Sequence, residues 1–339
     1  MVENENIPIS ILDLVPIVEG GAASESFRNS IELAQQAEKL GYTRFWVAEH
    51  HSMPGIASAA TAVVIARLAG ETKSIRIGAG GIMLPNHAPL VIAEQFATLE
   101  AMFPGRIDLG LGRAPGSDRA TAHALRRTFD SDDFPRLLEE LEFYLREPAA
   151  NQKIRAVPEG GHRVPIWLLG SSGFSAQLAG RLGLPFSFAA HFSPEYLDAA
   201  LDLYRSNFRP SKELSKPYVM VAVNVFAAES DREAERLATS HLQSFINLAR
   251  GTPARIQAPV DDMETVWTPA EREMVRQRMG GSITGGPEKV GQELKQFLEV
   301  AEPDELMIHT IMYDHSARLR SYDIVAEVMR PGSAESASV

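Results

Sequence analysis

Short runs of β-branched and apolar residues alternate with longer amphipathic stretches from one end of this chain to the other, and no other feature narrows the fold so far. Such alternation predicts βα units and a parallel sheet, because parallel neighbours need a long crossover, most simply a helix. The runs predict strands at Ile7–Leu12, Thr43–Ala48, Ile75–Ala79, Ile107–Leu111, Ile166–Gly170, Phe186–Ala189, Val219–Ala227 and Glu305–Thr310. Apolar positions three to four residues apart predict helices at Ser26–Leu40, Ser58–Thr72, Ala88–Phe103, Phe134–Leu145, Ser175–Leu182, Pro194–Phe208, Asp231–Ala249, Pro287–Val300 and Ala317–Met329. Eight such units fit a closed barrel or an open doubly wound sheet; count and length favour a single α/β (β/α)8 TIM barrel over residues 1–330.

Residues 251–286 break the rhythm with a short helical piece, Pro269–Met279, followed by GGSITGGP. They read as an insertion over the barrel mouth, either a substrate lid or a disordered surface loop. The small, polar residues 331–339 are expected to be a disordered tail.

Composition removes whole classes of function. A net charge of −11 without a Lys/Arg-rich run argues against nucleic-acid and anionic-membrane partners. With no cysteine there is no disulfide framework, thiolate metal site or cysteine nucleophile. The opening MVENENIPIS lacks a signal peptide's basic and apolar regions, and no apolar run approaches the ~20 residues of a membrane span, so a cytoplasmic location is expected.

Barrel active sites are built where the strands end, which makes the residues after each strand the informative ones. After the second strand comes Glu49-His50-His51. Adjacent residues of an extended strand point to opposite faces, which argues against one shared metal ion, and no metal is expected. His50 reads as an acid/base or substrate-orienting group, against the plainer reading of a strand-end histidine satisfied by a neighbouring carbonyl. After the third strand, Gly78-Ala79-Gly80-Gly81 leads into Ile82, Met83 and Leu84, not into a helix, so the dinucleotide fingerprint is incomplete. Gly80 and Gly81 suit either a close approach of backbone to a flat ligand or a β-bulge. The fourth strand ends at Gly110, Gly112 and Arg113, where the guanidinium is a natural phosphate fork or else a surface ion-pair partner. The fifth strand runs into Ser171 and Ser172 before a helix, a ready anion site or a simple cap. Because these two strands are neighbours, Arg113 and Ser171/Ser172 are placed to hold one phosphate together.

The segments FWVAEHH (Phe45–His51), IGAGGIMLP (Ile77–Pro85) with His87, AEQFATLEAMFPGRIDLGLGR (Ala93–Arg113), LGSSGFSAQLAGRLGLP (Leu169–Pro185) and GGPEKV (Gly285–Val290) together resemble the luciferase-like flavin-dependent monooxygenases, typified by the bacterial luciferase α subunit. AAHF (Ala189–Phe192) and YDHSARLRSY (Tyr313–Tyr322) are similar to a stand-alone, non-luminous bacterial subfamily. The resemblance implies a barrel that takes reduced FMN from a separate NAD(P)H:flavin reductase, reacts it with O2 and passes one oxygen atom to a small organic substrate. It implies His50 as the catalytic histidine, Gly80 and Gly81 as a cis-peptide pair beside the flavin ring, and Arg113 and Ser172, with Ser171 adjacent, as phosphate contacts. It also implies a homodimer packed through the early helices. Two departures stand out: Gly112 occupies the place of the luciferase's reactive cysteine, and Ser171 that of an acidic residue. Light emission and the luciferase's aldehyde substrate are therefore not implied. Two alternatives remain at this level, a coenzyme F420-dependent hydride-transfer enzyme of the same barrel family and a non-catalytic flavin-binding protein.

Overall fold

The structure is a computed structural model that describes residues 7–114, 118–126, 133–158 and 163–330. The expected tail 331–339 lies outside the described residues. Eight parallel strands close on themselves: β1 (Ile9–Asp13), β2 (Arg44–Val47), β3 (Arg76–Met83), β4 (Ile107–Gly112), β5 (Ile166–Gly170), β6 (Phe186–Phe188), β7 (Val219–Ala227) and β9 (Glu305–His309). Pairing runs β1 to β7 in order, β6 joins β7, β7 joins β9, and β9 returns to β1. A ninth strand, β8 (Ile283–Gly285), pairs only with the last residues of β7, Val225–Ala227, and so extends one side of the mouth.

The helices are α1 (Ala23–Lys39), α2 (Thr61–Glu71), α3 (Pro89–Met102), α4 (Arg119–Ala124), α5 (Phe134–Leu145), α6 (Gly173–Leu182), α7 (Leu197–Asn207), α8 (Asp231–Ala249), α9 (Pro269–Met279), α10 (Pro287–Ala301) and α11 (His315–Met329). Outward-facing strand residues such as Ile9, Ile11, Phe45, Val47, Ile77, Leu109 and Leu168 pack with the helices in one continuous core. This two-residue alternation is why the strands are legible as apolar runs: both faces are buried.

Inside the barrel the layers differ in chemistry. At the bottom, Glu305 takes Arg44 Nε at 2.9 Å and the Tyr218 hydroxyl at 3.0 Å. Asp108 takes Arg44 Nη1 at 2.9 Å and Arg76 Nη2 at 2.6 Å. Each buried carboxylate therefore meets cations, the condition under which such charges are tolerated. Above them Leu12, Trp46, Trp167, Met220 and Met307 form an apolar plug, with the two indole rings edge to face at 5.3 Å. That plug is the floor of the mouth.

Segment 251–286 contains α9 and β8. Ile256 bridges to Val18, and α9 begins with a reciprocal capping box between Thr268 and Glu271. Among the described residues, no helix is long and apolar enough to cross a membrane.

Candidate active site

The strand ends build the site in two halves. On the β2–β3 side, Glu49 is buried and its carboxylate gathers His51 Nε2 at 2.8 Å, His87 Nε2 at 2.9 Å, Asn86 Nδ2 at 2.9 Å and the Met83 backbone N–H at 2.9 Å. Burial pushes this carboxyl up, but the His87 contact, Asn86 and the Met83 amide outweigh it and hold the group below its usual range. Glu49 thus tethers the turn after β3 to the end of β2. The expected alternation holds here, since Glu49 and His51 meet each other while His50 lies apart from them.

His50 has a buried Nδ1 without a protein partner. Burial lowers its pKa, against the opposing pull of the Ala48 carbonyl and Glu49. It is therefore a neutral imidazole around pH 7, able to donate at one nitrogen and accept at the other.

The Gly80–Gly81 peptide is cis, and the β3–β4 register shifts between Gly80 and Ile82. A Cβ on Gly80 would lie 3.0 Å from both Leu12 Cδ1 and Trp46 Cε3; one on Gly81 would lie 2.5 Å from Leu169 Cδ1 and 2.6 Å from the Gly110 carbonyl oxygen. Packing within the barrel thus requires a glycine at 81, and a side chain at position 80 would fit only if Leu12 and Trp46 gave way. The Glu49 N–H donates to the Gly81 carbonyl at 3.0 Å, which ties this bulge to β2.

After β4, Arg113 packs against the first turn of α6, the helix that Ser171 and Ser172 precede. The guanidinium carbon of Arg113 lies 4.3 Å from the Phe174 ring centroid, in the first turn of α6. Ser172 is the N-cap of that helix, yet its hydroxyl makes no capping bond, and Ser171 precedes it. A cation, a helix N-terminus and two serines in one place fit a phosphate dianion.

The other half of the mouth, formed by β6, β7 and β9, holds groups the strand-end reading missed. His191 follows β6, His309 ends β9 and His241 sits on α8. The rings of His191 and His309 are 5.1 Å apart, those of His241 and His309 5.6 Å. Burial lowers all three: His191 to about 3, His241 to about 4, and His309 well below its ordinary value. His50 opposes protonation of His191 and His309, which places it at the same end of the barrel. Despite these imidazoles, no group of three His, Cys, Asp or Glu among the described residues is arranged to hold a metal ion.

Comparison with known proteins agrees with this architecture. The luciferase-like monooxygenase family model matches residues 8–303, and the chain belongs to that family of oxygenases. It is 51% identical to a luciferase-like monooxygenase of Escherichia coli, covering 96% of this chain and 98% of the relative. It is 32% identical to the N-acetyl-S-alkylcysteine monooxygenase of Bacillus subtilis, over 95% of this chain and 98% of that protein. The crystal structure of apo-MsnO8 superposes with a TM-score of 0.84 at 35% identity, covering 95% of this chain and 98% of that one. Two more distant structures share the fold: the FMN complex of the oxygenating constituent of 3,6-diketocamphane monooxygenase from Pseudomonas putida and an F420-dependent secondary alcohol dehydrogenase, at 19% and 17% identity with TM-scores of 0.73 and 0.66. Each spans 96% of this chain, and 99% of the dehydrogenase and 98% of the oxygenating constituent are covered.

Proposed function

We propose that the chain is the oxygenating component of a two-component system. It takes reduced FMN from a separate NAD(P)H:flavin reductase and uses O2 to place one oxygen atom on a small organic substrate. The observation that carries this reading is the convergence of Arg113, Ser172 and the α6 N-terminus. A flavin without phosphate would leave that cluster unused.

Reduced FMN, when bound, supplies the electrons that activate O2; the remaining tasks fall to the protein. Arg113, Ser171 and Ser172 are the residues that would hold the phosphate, and Gly80 and Gly81 are the backbone that would lie beside the ring. His50 takes or gives a proton at its buried Nδ1, which has no competing protein partner. The Trp46–Trp167 layer closes the mouth from below and keeps the bottom of the barrel dry. The same reading includes a homodimer through the early helices, where Val63, Val91 and Met102 are exposed on α2 and α3; sedimentation equilibrium reads that state directly.

An anaerobic fluorescence titration with photoreduced FMN, riboflavin and reduced F420 tests the cofactor. FMN should bind tightest, and preference for F420 would replace the oxygenase reading with hydride transfer.

A further inference from the structure

The unassigned histidines on the β6–β9 side form a built site. Asn224, on β7, donates from Nδ2 to the His191 carbonyl at 2.6 Å and lies 3.2 Å from the Ser282 hydroxyl. A carbonyl only accepts, so the Asn224 amide has one orientation, and its Oδ1 faces His309 Nδ1 at 2.8 Å. That oxygen only accepts as well. His309 must therefore carry its proton on Nδ1, which leaves Nε2 with a lone pair. This Nε2 is buried and has no partner in the protein, and His309 is only 2% exposed.

A lone pair fixed in this way selects its ligand. Leaving it unpaired carries a desolvation penalty, which a donor supplied by a ligand recovers. A carboxylate offers no hydrogen and is repelled. An ammonium offers hydrogens, but Arg318, held by Asp13 at 2.7 Å, already disfavours positive charge at His309. The remaining titratable groups facing His309 are His191, His241 and His50, all kept neutral by burial. Aromatic rings flank the cluster, Phe192 against His191 at 4.9 Å and Phe226 against His241 at 5.3 Å.

We propose that this side of the mouth is the organic-substrate subsite, and that His309 Nε2 accepts a hydrogen bond from an N–H or O–H group of an uncharged, partly apolar substrate. Asn224 is the positioning residue that holds His309 in the required tautomer. The subsite rests on the oxygenase reading above and lies across the mouth from Gly80, Gly81 and Arg113, so flavin and substrate occupy separate walls. It assigns to His309 the task of orienting the substrate, leaving proton transfer to His50.

The test uses histidine-labelled full-length protein, with and without saturating oxidised FMN, and two probes. N-benzylacetamide carries an amide N–H, and N-benzyl-N-methylacetamide lacks it. Nitrogen NMR should show His309 protonated on Nδ1 alone, with Nε2 shifting only when the secondary amide is added. Affinity for the secondary amide should exceed that for the tertiary amide by about tenfold, and His309→Phe should erase the difference. Asn224→Leu should leave His309 as a mixture of tautomers and reduce the preference in parallel. A proton on Nε2 in the wild type, equal response to both amides, or no response to either overturns the proposal. Anaerobic titration of the same protein with photoreduced FMN separates the two readings: intact binding of reduced FMN without amide selectivity defeats only the subsite, whereas no binding of reduced FMN defeats the flavin reading.

Discussion

Arg113 stacks on Phe174 with its guanidinium carbon 4.3 Å from the ring centroid, and this contact joins the end of β4 to the first turn of α6. A permanent cation is thereby set beside the positive end of a helix dipole.

Arg113→Ala should weaken FMN binding about 10- to 100-fold, the worth of a charge-assisted hydrogen bond at ~1.5–3 kcal/mol. Riboflavin, without a phosphate, should bind the variant and the wild type alike. Fluorescence titration of both flavins checks this; equal losses would remove Arg113 from the phosphate site.

His50→Ala should lower turnover by ~10²–10⁴ while leaving FMN affinity and thermal stability near wild type. Because burial keeps His50 neutral below its ordinary range, the wild-type rate should stay level through neutral pH and fall only in acid. Unchanged turnover in the variant would make His50 a packing residue.

Half-buried His191 and His241 should steepen the loss of stability in acid. Unfolded histidine titrates near 6.5, whereas burial holds His191 to about 3 and His241 to about 4. Below pH 6.5 the unfolded chain takes up protons that the native state refuses, so their contribution is complete above 6.5 and is lost as pH falls towards 4. Each such histidine should steepen the loss by ~1.4 kcal/mol per pH unit. Urea denaturation between pH 7 and 4.5 should show this slope, and His241→Phe should make it shallower. A variant with the wild-type slope would mean that His241 is protonated in the native state.

Glu49→Gln should cost about 2–4 kcal/mol at pH 7, because a buried carboxylate with four donors loses its charge and one strong acceptor. The folded carboxyl titrates below its ordinary value, so its contribution is present above pH 4.5 and disappears as pH falls through the lowered value. Wild type and variant should therefore converge in acid. A constant gap across pH would show that the loss is steric.

The strands were legible because both faces of each are buried, and α5, α8 and α9 were legible to the residue at both ends because the apolar spacing stops where the caps begin. β8 was not, since Ile283–Gly285 is three residues within GGSITGGP and earns its pairing only from the end of β7. The six-residue α4 was missed for the same shortness. At the site, His50, Arg113, Ser171 and Ser172 stood out because each follows a strand end, and Gly80 and Gly81 because the third strand was expected to stop at Ala79, whereas β3 runs on through both to Met83. Applied to β6 and β9, the same test reaches His191 and His309. His241 had no such signal: it is one polar residue on a long amphipathic helix, and only closure of the barrel brings it to His309.

In the proposed function, reduced flavin reaches this chain from elsewhere. No strand–GxGxxG–helix unit with an acidic residue about twenty positions on occurs in the sequence, so the chain offers no nicotinamide dinucleotide fingerprint. The direct measurement is the rate of NADH or NADPH oxidation by the purified protein with FMN and O2, before and after addition of a separate flavin reductase, in the presence of a trial panel of organic substrates. Almost no nucleotide oxidation is expected from the chain alone, and oxygenated product carrying one atom from labelled O2 is expected once the reductase is present. Rapid nucleotide oxidation without the reductase would contradict the proposed function.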